Sequence, residues 1–552
     1  MEFNLADLFE CVADRVGERV AVVGEGRRLT YAELDERATR LAHGLAGCGV
    51  AAGDHVGLDL YNSPEHVEAM LACFKLRAVP VNVNYRYTAG ELAYLARDAD
   101  LVALVSQPEL AGPVAALAAD PPERLRTFVE VGDGVAPVVP RALRYEDVLA
   151  SGGPARDFGA RSADDHYVLY TGGTTGMPKG VVWRHEDIFF ATLGGGNPGG
   201  PPITRPEQIG ETVLVNRAQR VGPFLPPGHP GPDEMVVLAL GPLMHASGQW
   251  SALGTLLGGG RVVLYDRPAM DMAYVLELVE RERVVMLTLV GDASARPLLA
   301  ELDAHPGARD TSSLLLLGSG GSILSGDVKD RLLAAVPTVL AITEAIGSSE
   351  APIQGIALAH QGGPPSASLQ FTAKDVTMVL DDRHVPIPPG SGQVGWLATT
   401  GHVPLGYYND PARTARTFVE IDGRRWSLPG DMATIDADGT VHLLGRGSLC
   451  VNTGGEKVYP EEVEAVLKSH PDVVDAVVVG VVDARWGQRV AAVVQARDGA
   501  APTLDDVQRH CRAHLAGYKV PRSLRLVPEV RRSPSGKADY PWAARVAEEP
   551  LP

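Results

Sequence analysis

Residues 170–180 read YTGGTTGMPKG, with four glycines, three threonines and one lysine in eleven positions. Glycine lets successive backbone N–H groups converge on an anion, threonine hydroxyls add donors, and Lys179 adds a positive charge. A polyphosphate suits such a stretch, although a glycine-rich turn between two strands has the same composition. Which phosphate chemistry is meant is narrowed by exclusion. Lys179 is followed by Gly180, so the G-x-x-x-x-G-K-[ST] pattern is absent, and no G-x-G-x-x-G opens a helix after the first strand. No serine-hydrolase elbow is evident. The five cysteines are scattered, with no C-x-x-C or Cys/His cluster, so neither a disulfide framework nor a zinc site is indicated.

The elements that must position this stretch are those of an α/β protein. A chain of 552 residues exceeds one hydrophobic core, so at least two domains are expected. LTYAELDERATRLAHGLAGCGV, from Leu29, places Leu34, Ala38, Leu41 and Leu45 on one helical face, with Gly49 at its end. HVGLDL and AVPVNVN read as strands with the helix SPEHVEAMLACFKL between them, which implies a parallel sheet. The alternation recurs from EMVVLALGPLM through RVVLYD and VLELVERERVVMLTLV to SSLLLLGSGG. Residues 194–232 are too rich in glycine and proline for regular structure, and read as a functional lid or a surface excursion. Past Arg446 the texture becomes that of a small α+β unit. Pro460 suits a helix first turn, Glu461, Glu462 and Glu464 suit its positive end, and DVVDAVVVGVVD and RVAAVVQARDG read as paired strands. The expected division is 1–446 and 447–552.

Composition excludes several classes. With 45% hydrophobic and 21% charged residues the chain is ordinary globular protein rather than disordered. The net charge of −18 argues against non-specific nucleic-acid binding. No apolar stretch approaches the ~18 residues of a membrane span, and the acidic, amphipathic N-terminus does not look like a signal peptide. These features read as a cytoplasmic protein without membrane insertion.

YTGGTTGMPKG resembles the phosphate loop of the adenylate-forming superfamily of acyl-CoA synthetases, peptide-synthetase adenylation domains and firefly-type luciferases. Further motifs follow in the family's order: PLMHASGQW (242–250), GSGGSILS (318–325), IGSSE (346–350), GYYNDPARTARTF (406–418), PGD (429–431), GR…GGEKVYPEEVE (445–464) and SPSGK (533–537). The resemblance covers nearly the whole chain and implies the acyl-CoA synthetase-like fold, a large N-terminal domain of layered sheets and helices with a small mobile C-terminal domain. It implies ATP, Mg²⁺ and CoA as cofactors. GSSE, PGDMA, GRGS and NTGGEKVYPEEVE look most similar to actinobacterial ligases of the fatty-acyl and steroid side-chain type, which suggests a bulky, alicyclic or branched acid.

The resemblance also assigns roles. Thr171, Gly172, Gly173, Thr174, Thr175, Gly176 and Lys179 would wrap the β- and γ-phosphates. Glu350, beside Ser349, would hold Mg²⁺; Glu344 in ITEA is the decoy. Asp431 would accept hydrogen bonds from the ribose hydroxyls, Arg446 would reach the ribose or phosphate end, and Gly320 and Gly321 would lie along adenine. Lys537, one of only eight lysines, would enter from the C-terminal domain and neutralise charge between the carboxylate and the α-phosphate. Family members then rotate that domain about a hinge, here Ser448 where Asp or Lys is usual, so that Gly454 and Gly455 line a tunnel for pantetheine. His245 matches a gating position near the carboxylate. Ile346 stands where Tyr or Phe is frequent, which removes a ring that could stack on adenine. The implied reaction is ATP-dependent acyl-CoA ligation through acyl-AMP with pyrophosphate release. Loading of a carrier-protein phosphopantetheine, and a catalytically silent nucleotide-binding scaffold, stay open as alternatives, as does a homo-oligomeric state. HASGQWSAL offers no acidic partner for an amine, which disfavours a free amino acid.

Overall fold

The computed structural model describes residues 1–132, 136–173, 176–195, 202–215, 224–225, 231–453, 456–483, 487–533 and 536–549. Among these, three sheets organise the chain. The largest, of 15 strands, has the antiparallel strand Arg27–Thr30 at one edge, followed by a parallel array in the order Val20–Gly24, Arg261–Leu264, Val236–Ala239, Met286–Leu289, Leu316–Gly320 and Ala341–Ser348. It turns antiparallel at Ala351–His360 and continues so to Thr440–Arg446 and Asp431–Ile435. An eight-stranded sheet carries His55–Asp59, Val79–Asn82 and the pair His166–Gly173 and Gly176–Arg184. The third sheet, of five strands, lies wholly after residue 450.

Local sequence explains the elements. The helix Tyr31–Gly47 starts at a capping box in which Thr30 and Glu33 satisfy each other's backbone N–H groups, and Leu34, Ala38, Leu41 and Leu45 are all buried. Ser63 caps the helix Pro64–Leu76, whose proline occupies the first turn. Within the strand Val473–Asp483, the apolar run Ala476–Val481 has a different cause from half-burial. Ala476 and Val478 face one core with Val463, Leu467 and Val507, while Val477, Val479 and Val481 face another with Trp542 and Ala543. Burial on both faces removes the polar alternation of a surface strand.

Two expectations are corrected. Within 194–232, Ile209–Val215 is a helix preceded by the turn Pro206–Gln208. Ile209 and Val213, one helical turn apart, enter the main core beside Leu5, Leu8 and Val12 of the helix Leu5–Val16, so the helix at 209–215 is scaffold; 196–201, 216–223 and 226–230 lie outside the described residues. The acidic start of the helix Pro460–Lys468 does more than complement a dipole. Glu462 pairs with Lys519 Nζ at 2.6 Å, Glu464 accepts from Val478 N–H at 2.9 Å, and Glu461 turns toward Gly445 and Arg446.

Candidate active site

The glycine-rich stretch is the tip of a hairpin. Tyr170 lies opposite Gly180, Thr171 opposite Lys179 and Gly173 opposite Gly176; Thr174 and Thr175 fall outside the described residues. The hairpin is held rigidly from below. Tyr170 OH donates to Asp98 at 2.7 Å. Asn82 accepts from Tyr170 N–H at 2.7 Å and donates to the carbonyls of Tyr170 and Met244 at 2.8 and 2.6 Å. One buried amide thus joins the phosphate hairpin to the turn that presents His245. Asn62 holds the same turn by accepting from Leu243 N–H at 2.8 Å.

His245 stands at the start of the helix Ala246–Leu257. Its Nε2 is buried without a hydrogen-bond partner among the described residues. Burial first, then the positive charges of Lys537 and Arg86, push its pKa down to about 4, so the imidazole is neutral at physiological pH.

Glu350 sits in the turn between Ala341–Ser348 and Ala351–His360, where Ser348 pairs with Ala351. The turn is pinned on three sides. Trp183 donates its indole N–H to Ser349 O at 3.0 Å, Ser427 OH donates to Glu350 O at 2.8 Å, and Tyr407 OH donates to Glu350 Oε1 at 2.7 Å. Glu344 is spent elsewhere, in a buried ion pair with Lys329 at 2.6 Å, while accepting from Leu324 N–H. Ile346 is buried in a core cluster with Phe371, Val379 and Leu397.

Asp431 and Arg446 are cross-strand neighbours and bind each other, Nε to Oδ1 at 2.8 Å. Arg446 also donates to Pro429 O at 2.6 Å. In this state the pair is closed on itself, whereas the sequence reading treats the two as separate contacts to nucleotide. Burial raises the Asp431 pKa, and Arg446 acts against that rise.

Lys537 arrives from the third sheet's lobe. Its side chain keeps solvent access although it lies deep between the lobes. Desolvation, then Arg446, lower its pKa, while Glu350 and Asp431 support its charge. Lys179 is lowered likewise by desolvation and by Arg413, with Glu350 opposing. Docking of the lysine turn is specific. Gly536 has φ +73° and lies against the other lobe, where a Cβ would meet Val290 Cγ1 at 2.9 Å and Ser322 Cβ at 3.2 Å. Ser322 OH donates to Gly536 O at 3.4 Å.

The structure therefore gathers Lys179, Glu350, Asp431, Arg446, His245 and Lys537 around one cleft. Gly320 ends the strand Leu316–Gly320 and Gly321 follows with φ +80°, immediately before Ser322, so the stretch expected along adenine also receives the lysine turn. Ser448 lies in the one-turn helix Gly447–Leu449 between the large sheet and the small one; its side chain, and Gly454 and Gly455, fall outside what is described. Asn82, Tyr407 and Arg413 were not singled out by sequence. Tyr407 and Arg413 lie inside a quoted motif, but Asn82 had no signal beyond its place at the end of a parallel strand.

The "AMP-binding enzyme" family profile matches residues 9–408, and the "AMP-binding enzyme C-terminal domain" profile matches 462–537. A "3-oxocholest-4-en-26-oate--CoA ligase" of Rhodococcus rhodochrous is 45% identical over 98% of this chain and 96% of its own length. A "Medium/long-chain-fatty-acid--CoA/3-oxocholest-4-en-26-oate--CoA ligase" of Mycolicibacterium smegmatis is 44% identical over 100% of this chain and 97% of its own. Among solved structures, ATP-bound MatB from Rhodopseudomonas palustris superposes with a TM-score of 0.78 at 26% identity, covering 98% of each chain. The likeness thus runs along the whole length, and the chain belongs to the AMP-binding enzyme family.

Proposed function

We propose that the protein is an ATP-dependent acyl-CoA ligase acting on a bulky hydrophobic carboxylic acid. The observation that carries this reading is the meeting of Lys537, from the small lobe, with Glu350, Asp431, Arg446 and His245 of the large one. A carboxylate attacking a phosphate is one anion approaching another, so the site must neutralise and align rather than supply a nucleophile.

In the first step a carboxylate oxygen bonds to the α-phosphorus of ATP, the bond to the β-phosphate oxygen breaks, and pyrophosphate leaves. The Thr171–Lys179 hairpin and Lys179 hold the leaving phosphates. Lys537 sits where negative charge gathers between acid and α-phosphate. Neutral His245, whose buried Nε2 has no partner among the described residues, borders the acid without adding charge. Asp431 turns to the ribose hydroxyls once Arg446 shares itself with phosphate. In the second step the CoA thiol sulfur bonds to the acyl carbon, the thiol proton is released, and AMP leaves.

Glu350 fits a magnesium site of the substrate-assisted kind. Among the described residues no group of three or more His, Cys, Asp or Glu could hold a metal alone, and Glu350 would hold Mg²⁺ together with the bound nucleotide. When bound there, Mg²⁺ supplies charge neutralisation across the phosphates. Tyr407 orients the Glu350 carboxylate for that task. The boundary between lobes falls after Arg446, where the large sheet ends and before Val451 begins the small one. No described helix is long and apolar enough to cross a membrane.

The substrate class rests on the names of the two curated relatives, which act on steroid side-chain and fatty acids. The test is a panel of medium-chain, long-chain, aromatic and steroid side-chain acids, scored for pyrophosphate release with hydroxylamine trapping and for thioester with CoA. Thioester with the hydrophobic acids is expected. Adenylate that forms but loads only a carrier protein would replace CoA as the acceptor, and absence of acid-dependent ATP–pyrophosphate exchange across the panel would end the reading.

A further inference from the structure

Lys537 sits at the end of a small hairpin of the second lobe, closed by a bridge between Arg532 and Ala538 and by Ser533 N–H donating to Lys537 O at 2.8 Å. The contacts of Arg532 aim that hairpin. Its Nε and Nη2 donate to Asp475 Oδ2 and Oδ1 at 2.5 and 2.7 Å, a two-pronged ion pair, while Nη1 donates to Gly536 O at 2.8 Å. All three nitrogens of the guanidinium are engaged, and the third grips the peptide that leads into Lys537. Both partners are largely buried, with 15% and 18% of their side chains exposed.

We infer that Asp475 and Arg532 are positioning residues for the adenylation step, holding the Gly536 carbonyl so that the following lysine points into the cleft. The inference rests on the reading of Lys537 given above. Asp475 is itself placed by the strand Val473–Asp483, whose register against Gly487–Ala496 slips between Val473 and Asp475. Such an irregularity re-aims a side chain out of the regular alternation. Asp475 also accepts from Ala476 N–H at 2.8 Å and has Lys468 Nζ at 3.7 Å, so the carboxylate is fixed before Arg532 binds it. The guanidinium then acts as a rigid plane between a fixed acid and the Gly536 carbonyl, a role that a lysine's point charge would not fill. The same Gly536 carbonyl receives Ser322 OH from the large lobe, so a single peptide oxygen is held from both sides at the position adjoining Lys537. A buried ion pair of this kind contributes geometry more surely than stability.

The test uses the full-length protein and an acid that it accepts. Arg532→Gln, Arg532→Lys, Asp475→Asn, Lys537→Ala and the double variant Arg532→Gln/Lys537→Ala are compared in two assays, acid-dependent ATP–pyrophosphate exchange and thioester formation from preformed acyl-adenylate. Misplacing a catalytic group by about 1 Å costs on the order of 10²-fold, so exchange is expected to fall about tenfold to a hundredfold in each single variant at the ion pair. Thioester formation should stay within about threefold, which also reports that the lobe is folded. Arg532→Gln should add nothing to Lys537→Ala, because a residue acting through the lysine has no effect without it. Equal damage to both assays, further loss in the double variant, or unchanged exchange in both Arg532→Gln and Asp475→Asn would overturn the inference. Normal exchange in Lys537→Ala would overturn the lysine's role as well, and is told apart because it needs no change at Arg532.

Discussion

The two lysine-bearing turns of the cleft make an instructive pair. YTGGTTGMPKG and SPSGK are both short, rich in glycine and hydroxyls, and end near a lysine. The first continues two strands of an eight-stranded sheet and is fixed by Asn82 and by the Tyr170–Asp98 hydrogen bond. The second hangs from the small lobe on Arg532 and touches the large lobe through Gly536 and Ser322. Strand residues fixed before a ligand arrives spend no reorganisation on binding. On the proposed reading, a cation carried on a separate lobe would be available to one step and removable for the next.

Lys537→Ala should produce the largest effect: acid-dependent pyrophosphate exchange falls by about 10²- to 10³-fold, the scale of losing one electrostatic stabiliser of a transition state. Thioester formation from preformed acyl-adenylate should change far less, and equal loss in both halves would erase the distinction between the two turns. Gly536→Ala attacks the docking rather than the charge. The added methyl combines positive φ with contact at Val290, and such strain is worth roughly 1–3 kcal/mol. Exchange should drop about tenfold, with normal circular dichroism and a nearly unchanged KM for the acid; a normal exchange rate would show that this docking is not the productive one. On the fixed side, Tyr407→Phe removes one hydrogen bond to a carboxylate, on the order of 1.5 kcal/mol, and should lower kcat/KM for ATP about tenfold. Raised Mg²⁺ should recover part of that loss if Tyr407 orients Glu350, and an Mg²⁺-independent loss would deny it.

The smallest effect is on stability between the lobes. Burial, then the charge of Glu464, push the Glu461 pKa up to about 8, and Asp431 adds to the rise, while Arg446 N–H donates to Glu461 Oε1 at 3.3 Å. Because the folded-state pKa lies above the unfolded one, the native state prefers the protonated acid. Its contribution is complete below about pH 4.5 and fades as pH climbs through about 8. Glu461→Gln should therefore flatten the alkaline decline of Tm over that window while matching the wild type near pH 5. An identical pH profile in the two proteins would show that Glu461 does not titrate there. Gly445 belongs to the same contact: it has φ +115°, and a Cβ would overlap the Glu461 carboxylate.

Legibility followed the distance over which the information is stored. The helix Tyr31–Gly47 was readable because its cap, its apolar face and its terminating glycine are all local. The helix Ile209–Val215 was not, because its two core residues sit inside a glycine- and proline-rich composition and matter only once the helix Leu5–Val16 is there to receive them. Asn82 spans 88 residues to Tyr170 and 162 to Met244, and Arg532 spans 57 to Asp475, so neither partner is written near the other. Glu461 looked like an ordinary first-turn acid, and became a buried one only because the end of the large sheet lies against it.

From the chain alone came the strand character of DVVDAVVVGVVD and a glycine- and hydroxyl-rich stretch suited to phosphate, while the order of the motifs and the residues for metal and ribose came from the family resemblance. The former are properties of composition and local periodicity, set by side-chain chemistry at fixed spacing. Folding alone decided that Asp431 and Arg446 close on each other, that Tyr407 reaches Glu350, and that Gly536 brings Lys537 against the stretch after Gly321. Each of those depends on register between strands or on how one lobe lies against another, and such distances belong to packing, not to the order of residues.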